Sequence, residues 1–291
     1  MAWYNRGSAY NELHQYDKAV TDFSKVIELD PKHVRAWTNR GVAYNELHQY
    51  EKAIADLTKA TELDPKNGTV WRNRGYAYSE LHQYDKAVTD FSKVIELDPN
   101  SAPAWNDRGV AYLRLRQYDK ALADFKKTLE LAPTDPVGQN NLAWLLAACP
   151  EAKLRDPTRA VQLAENIVKG APGQALFRTT LGVARYRADD WKGAALTLEE
   201  ALKLLQATHG FDRGVGRSLF FLAMAQHRLG HGKEARQAYD RARAWLETNR
   251  KTVQGTPWLA EELRRWQTEA EELLKQRPEK KHEPPAEAPR R

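Results

Sequence analysis

The sequence predicts an all-α, right-handed superhelical solenoid of antiparallel helix pairs, closed by a C-terminal capping helix. The twenty residues 12–31, ELHQYDKAVTDFSKVIELDP, recur unchanged at 80–99 and in a looser form at 46–65. Tryptophan and glycine also recur every 34 residues, at Trp3, Trp37, Trp71 and Trp105 and at Gly7, Gly41, Gly75 and Gly109. A fixed period of this length is the signature of stacked repeats that each pack only on their neighbours.

Each repeat is predicted to contain two short helices. In the second repeat, Trp37, Gly41 and Tyr44 are spaced by four and three residues and form one buried face. A turn at residues 48–49 leads to a second amphipathic helix, which ends before Pro65 because proline cannot continue a helix. The small side chain at Gly41 marks where the two helix axes approach closely.

The pattern W-x₂-[LR]-G-x₂-Y, followed by Y, A, [FL], A and P at fixed spacing, resembles the tetratricopeptide repeat (TPR) family. The resemblance covers residues 2–136 as four regular 34-residue units. In the fourth unit it is carried by Trp105, Gly109, Tyr112, Ala121, Phe125 and Pro133. The resemblance implies that the first helices of the units line a concave groove, and hence a protein–protein interaction scaffold that takes a peptide or a partner helix there.

The period survives with loop insertions beyond residue 136, which predicts about three divergent units over 137–251. Asp135 and Asp156, each followed by proline, are good helix starts. The glycine-rich stretch 209–216 is interpreted as a linker, since it lacks the G-x₄-G-K-[ST] spacing of a phosphate loop. Residues 257–276 read as an amphipathic capping helix over the last hydrophobic face. Residues 277–291, rich in Pro, Glu, Lys and Arg, are expected to be a disordered tail.

Two alternatives to the scaffold stay open. The divergent units resemble TPR segments of large bacterial multidomain proteins, including some Ser/Thr kinases, which suggests a regulatory or substrate-recruiting segment of a larger enzyme. Trp3 follows Met1 and Ala2 with no N-cap residue and no covering helix. That start suggests either a longer parent chain or end-to-end self-association through exposed end repeats.

Composition argues against several other classes. The net charge of +6 divides into −1 over residues 1–136 and +7 over the remainder, so the repeats carry no basic groove for nucleic acid. No apolar run approaches the roughly 18 residues that span a bilayer, and no signal peptide is visible. The single cysteine, Cys149, is interpreted as a small semi-buried residue and favours a cytoplasmic location.

No enzyme, metal or cofactor site is expected. His14, His48 and His82 occupy successive turns about 10 Å apart. Because a metal–imidazole bond is only about 2 Å long, these histidines cannot share one ion. Nothing titratable gathers at a helix end or in a glycine-rich turn, so no catalytic constellation emerges.

The candidate binding residues are polar side chains of the first helices. An amide row recurs just before each glycine, and the resemblance implies a role for it, since in O-linked N-acetylglucosamine transferase asparagines at this position bind peptide backbone. An amide both donates and accepts, so it reads main chain without demanding a sequence. The alternative is that this asparagine is common in TPR consensus sequences. The row comprises Asn5, Asn39, Asn73, Asp107 and Asn141.

Further inward-facing candidates flank this row, and an acidic row borders it. The candidates are Tyr4, Thr38, Arg72, Asn106, Tyr76, Asn11 and Asn45. The acidic row is Glu12, Glu46 and Glu80, and it ends at Arg114. A mixed groove of this kind suggests an extended peptide that is polar or somewhat basic.

A heat-shock chaperone C-terminus is not an expected partner. The carboxylate clamp of co-chaperone TPR domains needs paired cations, and Tyr4, Ser8, Thr69 and Asn73 stand at the matching positions. Without those cations, a terminal carboxylate has little to hold it.

The arginine before each glycine is predicted to be structural. Arg40 has an acid, Asp56, at the facing position of the second helix, and the same holds in the other three regular repeats. In the divergent units both members are replaced together, which is expected of a charge-assisted pair between helices.

Overall fold

The structure is a computed structural model that describes residues 1–206 and 212–276. In these residues all regular secondary structure is helical, with sixteen α-helices and one short 3₁₀ helix. They form two compact units, the N-terminal unit (residues 1–138) and the C-terminal unit (from residue 139 onwards). Consecutive helices pack in pairs, which confirms the predicted all-α repeat architecture. The predicted tail 277–291 and residues 207–211 of the predicted linker lie outside the described residues.

Eight helices form four pairs in the N-terminal unit. The first helices are α1 (Ala2–Glu12), α3 (Val34–Glu46), α5 (Gly68–Glu80) and α7 (Ala102–Arg114). The second helices are α2 (Tyr16–Leu29), α4 (Tyr50–Leu63), α6 (Tyr84–Leu97) and α8 (Tyr118–Leu131). Each pair packs internally and against the next pair, as repeat arrays require.

The recurring tryptophan fixes the connection between pairs. Trp37 Nε1 donates a hydrogen bond to the carbonyl of Pro31 at 2.9 Å. Trp71 and Trp105 make the same 2.9 Å bond to the prolines that follow α4 and α6. Because the proline marks the end of the second helix, the indole sets where the next pair begins.

Within each pair, the turn contains a residue with left-handed backbone. The φ angles of His14, His48 and His82 are 55°, 56° and 58°. A non-glycine residue costs about 1 kcal/mol in this region. Each of these histidines also hydrogen-bonds through Nδ1 to the hydroxyl of the tyrosine two residues later.

The paired helices touch at the recurring glycine. A Cβ atom on Gly75 would lie 2.7 Å from Cε1 of Phe91, and one on Gly41 would lie 2.7 Å from Cγ of Leu57. Real Cβ atoms do not approach that closely, so only glycine allows the axes this separation. The close approach predicted at Gly41 is confirmed.

The predicted Arg–Asp pairs form in all four regular repeats. Arg40 donates to both carboxylate oxygens of Asp56, at 2.6 and 2.8 Å, and to Ser24 Oγ at 2.9 Å. Burial raises the pKa of Asp56, although the Arg40 hydrogen bonds oppose this. The equivalent pairs are Arg6–Asp22, Arg74–Asp90 and Arg108–Asp124.

In the C-terminal unit, leucine replaces each of these arginines. Leu142, Leu181 and Leu222 are all buried. The interhelix position is therefore apolar there, and the acid that would face it is absent, as the sequence comparison of the repeats predicted.

The C-terminal unit contains three pairs and two further helices. The pairs are α9 (Pro136–Ala148) with α10 (Pro157–Gly170), α11 (Ala175–Arg187) with α12 (Trp191–Gln206), and α13 (Arg213–Arg228) with α14 (Gly232–Thr248). The 3₁₀ helix Ala152–Leu154 lies in the insertion between α9 and α10. The chain then continues through α15 (Arg250–Gln254) to α16 (Pro257–Lys275).

The predicted linker at 209–216 is wrong from residue 213 onwards, because α13 begins there. Asp212 caps this helix by accepting a hydrogen bond from the Gly214 amide at 2.6 Å. Gly216 lies within this helix at a position where a side chain would not fit, since a Cβ atom there would lie 2.7 Å from Cζ3 of Trp245. The glycines thus serve close packing rather than a flexible connection.

One smaller expectation changes and another is confirmed. Cys149 is 2% exposed, so it is buried rather than semi-buried, and burial raises the pKa of its thiol. The predicted cap at 257–276 is helix α16, whose Trp266 is fully buried. This helix packs chiefly on α13, the first helix of the final pair.

Removing the aspartate of an Arg–Asp pair tests how the exposure of its arginine partner affects the stability of the fold. Asp56→Ala leaves Arg40, whose side chain is 16% exposed, without its carboxylate, and we expect a loss of about 3–5 kcal/mol in unfolding free energy. Asp22→Ala is the matched control, because the Arg6 side chain is 53% exposed and water can solvate it. Urea unfolding followed by circular dichroism should show a clearly smaller loss for the control. Unchanged stability in Asp56→Ala, with loss of ligand binding, would instead indicate an anion site.

A second pair of variants tests the glycine contact. Gly75→Ala places a methyl group against the Phe91 ring, and we expect a destabilisation of about 1–3 kcal/mol from overpacking. Gly173→Ala is the control, since no atom lies within 4 Å of its Cβ position. In thermal melts of both variants, Gly173→Ala should be neutral or slightly stabilising. Equal melting temperatures for the two variants would contradict the packing argument.

Candidate functional site

The candidate site is the first-helix face of the N-terminal unit, the surface formed by α1, α3, α5 and α7. The predicted amide row lies on this face, but its members differ in their surroundings. Asn5 is exposed, whereas Asn39 and Asn73 are half-buried. Asn39 Nδ2 donates to the Tyr4 hydroxyl at 3.2 Å, and Asn73 Nδ2 donates to the Thr69 carbonyl at 3.0 Å. Among the described residues nothing donates to the Oδ1 atoms of Asn39 and Asn73, so this part of the face presents acceptors.

Two other predicted amides join one first helix to the next. Asn45 Nδ2 donates to the Asn73 carbonyl at 3.1 Å, and Asn11 Nδ2 makes the equivalent bond to Asn39 at 3.4 Å. Asn45 is only 5% exposed. The Oδ1 atoms of Asn11 and Asn45 are buried and bond to no described residue. These side chains hold the repeats together, and their geometry leaves little surface for a ligand.

The remaining predicted residues have different surroundings. Some contact one another, and others are partly or fully buried. Arg72 Nε on α5 donates to Asp107 Oδ2 on α7, the first helix of the next repeat, at 2.7 Å. Burial raises the pKa of Asp107, while Arg72 and Asn106 oppose this. Thr38 is buried, with its hydroxyl bonded to the carbonyl of its own helix. The half-buried Asn141 lies on α9, in the C-terminal unit.

The most exposed aromatic candidate lies among acids. Tyr76 is 45% exposed, and its ring meets that of Tyr50 edge-on at 6.4 Å. Burial raises the pKa of Tyr76, and the charges of Glu80 and Glu46 raise it further. We call Glu46, Tyr50, Tyr76 and Glu80 the acidic–aromatic patch. It places two carboxylates beside two ring systems on one surface, where a cation would be stabilised by both.

A hydrogen-bond chain holds this patch in place. His48 Nδ1 lies 2.7 Å from the Tyr50 hydroxyl, which donates to Glu80 Oε2 at 3.4 Å. Since Tyr50 has one proton and a carboxylate can only accept, His48 must donate through Nδ1–H to the tyrosine oxygen. Burial and the Glu80 charge raise the pKa of Tyr50 to about 12, so its hydroxyl stays protonated. His14 with Tyr16 and His82 with Tyr84 repeat the first bond, at 2.7 and 2.9 Å.

Sequence reasoning did not identify Tyr50 as a site residue. Its signal was available, since a tyrosine opens the second helix of all four regular repeats. The acidic row was identified, but the proximity of Glu46 and Glu80 to Tyr76 depends on how neighbouring repeats stack. That distance is not encoded by spacing within one repeat.

The part of the chain that the structure describes is accounted for by helix pairs and the two helices that follow them. Within it, no group of three or more His, Cys, Asp and Glu side chains could hold a metal ion. None of its helices is both long enough and apolar enough to cross a membrane.

Comparisons with solved structures agree with this architecture. A tetratricopeptide repeat protein from Parabacteroides merdae is 17% identical, with 94% of this chain and 96% of that one covered at a TM-score of 0.63. YrrB, described as a TPR protein with an unusual peptide-binding site, is 22% identical over 64% of this chain and 93% of its own, at 0.51. MamA from Desulfovibrio magneticus is 23% identical over 61% and 97%, at 0.53. No curated protein matches the sequence.

Family models identify the repeats themselves. One tetratricopeptide repeat model matches residues 1–33, 34–67, 69–101 and 102–135, and a second matches 145–208. Together these matches cover well over half of the 291 residues. The first follows the four helix pairs of the N-terminal unit, and the second begins within α9 and extends past the end of α12. The chain therefore belongs to the tetratricopeptide repeat family, whose domains are typically protein–protein interaction scaffolds.

Proposed function

We propose that the N-terminal unit binds an extended, basic peptide on its first-helix face. The observation that carries this proposal is the exposed Tyr76, set between Glu46 and Glu80. A lysine or arginine side chain of the peptide would lie over the tyrosine ring and pair with the two carboxylates. Cation–π contacts contribute about 0.5–2 kcal/mol, depending on how far the site excludes water.

The amide row supplies the contact with the peptide backbone in this proposal. Asn39 and Asn73 already use their Nδ2 atoms within the chain, so their Oδ1 atoms would accept from peptide N–H groups. The exposed Asn5 would both donate and accept. Backbone contacts of this kind tolerate many sequences, and the acidic–aromatic patch would then set the preference for a cation.

The YrrB structure, described as having an unusual peptide-binding site, supports peptide binding as a use of this fold. The residues proposed above are this chain's own and do not depend on that protein's site. A regulatory or substrate-recruiting role in a larger enzyme would use the same face, since recruitment also requires a bound segment of the partner.

The charge preference can be measured with two labelled peptides, (Ala-Lys)₄ and (Ala-Glu)₄, added to the full chain and followed by fluorescence anisotropy. We expect the lysine peptide to bind more tightly than the glutamate peptide. Tyr76→Ala should weaken the binding of (Ala-Lys)₄ about 2- to 30-fold through loss of the ring. Glu46→Gln/Glu80→Gln should weaken it more than Tyr76→Ala does.

Glu28→Gln/Glu62→Gln is the matched control for the acids, because these exposed glutamates lie on second helices. It should leave the affinity for (Ala-Lys)₄ unchanged. If both double variants weaken binding equally, only net charge matters and the proposed patch is wrong. Equal affinity for the two peptides would also contradict the proposal.

The amide row is tested separately with Asn39→Ala/Asn73→Ala. Losing two acceptors should weaken (Ala-Lys)₄ binding about 30-fold, at roughly 1 kcal/mol for each hydrogen bond, while the lysine preference stays. Asn100→Ala, in the exposed turn after α6, serves as the control. Unchanged affinity in the double variant, with an unchanged melting temperature, would leave these amides as repeat-consensus residues without a binding role.

A further inference from the structure

Helix α16 crosses the first helices of all three pairs in the C-terminal unit. The Trp266 ring meets the rings of Trp144 on α9 and Phe221 on α13 edge-on, with centroids 5.5 and 5.3 Å apart. Arg265 Nη2 donates to the Ala148 carbonyl at the end of α9, at 2.8 Å. As a cap, α16 packs chiefly on α13 and also on α14 of the final pair. It also reaches beyond that pair, to the first helices of the two pairs before it.

Two ion pairs connect α16 to the first-helix face of the unit. Arg217, which is 4% exposed, donates to Glu262 at 2.9 and 2.6 Å. Arg187 donates to both oxygens of Glu269, at 2.5 and 2.8 Å. Glu262, Trp266 and Glu269 are spaced by four and three residues, so they share one side of the helix. This side of the helix therefore presents an aromatic ring to the face, with one acid a turn before the ring and a second acid a turn after it.

These two arginines differ from those of the regular repeats. Arg40 finds its carboxylate inside its own helix pair, whereas Arg187 and Arg217 find theirs, among the described residues, only on α16. Arg217 also lies over the Trp144 ring, 4.4 Å from its centroid. Without an acidic helix on this face, both arginines would be left without a carboxylate. The face is therefore complementary in charge and shape to a helix of the α16 type.

The fit of α16 is incomplete. Trp266 Nε1 and Arg187 Nε are buried, and neither hydrogen-bonds to a described residue. Each unsatisfied buried donor costs free energy, which weakens the hold of the face on α16. The helix follows only the five-residue α15 and lies last among the described helices. It lies outside the three helix pairs, although it also contacts α14, where the Tyr239 hydroxyl donates to Glu271.

From these observations we propose that the first-helix face of the C-terminal unit is a binding groove for an acidic amphipathic helix with Glu-x₃-Trp-x₂-Glu spacing. Helix α16 occupies this groove as a displaceable intramolecular ligand. A partner helix of the same chemistry binds by exchanging with it. Because a tethered helix has an effective concentration in the millimolar range, the partner's apparent affinity is reduced while α16 is bound.

The test uses the full chain and a labelled peptide with the sequence of residues 257–275. Glu262→Gln/Glu269→Gln weakens the intramolecular helix without altering the groove. It should bind the peptide at least tenfold more tightly than the wild-type chain does. Glu247→Gln/Glu272→Gln changes two exposed acids, one on α14 and one on α16, and should behave as wild type. Adding Arg187→Gln and Arg217→Gln to the first variant should abolish the gain.

Equal peptide affinity in the wild type and in Glu262→Gln/Glu269→Gln would overturn the proposal, because α16 would then be a fixed part of the core. Hydrogen–deuterium exchange on the wild-type chain decides the matter if that variant fails to fold. Amides of α16 should exchange at least tenfold faster than those of α13, through local opening. Equal protection of the two helices would show that α16 leaves only when the whole unit unfolds, which would also overturn the proposal.

Discussion

The close contact between paired helices at a glycine is the constraint on which the rest of the structure depends. At Gly75 the Phe91 ring occupies the space that any side chain would need, and Gly41 has the same relation to Leu57. The contact recurs in the C-terminal unit, where a Cβ atom on Gly182 would lie 2.5 Å from Leu198 Cγ. Because every such pair is held at nearly the same separation, one pair can stack on the next. The exposed Tyr76 is placed on the first-helix face by the contact immediately before it.

The two units use arginine in different ways on this common framework. In the N-terminal unit the guanidinium of Arg40 lies between helices and is neutralised inside its own pair. In the C-terminal unit Leu181 and Leu222 take the interhelix position, and the charged groups Arg187 and Arg217 meet α16 instead. A buried ion pair adds little net stability but fixes geometry, since an unmatched charge is costly. One unit therefore uses its ion pairs to align helices, and the other uses them to align a helix on its surface.

Much of the fold could be predicted from the sequence. The recurring glycine, tryptophan and proline each mark a contact that lies within one repeat or between one repeat and the next. The Arg40–Asp56 pairing could be predicted because both members vanish together in the divergent units. The site was less predictable. The roles of Asn45 and Arg72 depend on which backbone or acid of the next repeat lies opposite them, a matter of stacking rather than spacing. The position of α16 could not be predicted, because Trp266 meets Trp144 across 122 positions of the chain and amphipathicity alone does not select a partner.

The bonds between neighbouring regular repeats are themselves repeated. Arg40 reaches Ser24 of the preceding pair, Arg74 reaches Thr58, and Arg108 reaches Ser92, each sixteen residues back. A 34-residue block inserted or deleted within this array would meet the same interface on both sides. The length of the N-terminal unit is thus a modular variable. Evolution, or a protein engineer, can change the number of binding positions on the first-helix face in whole repeats without redesigning any single junction.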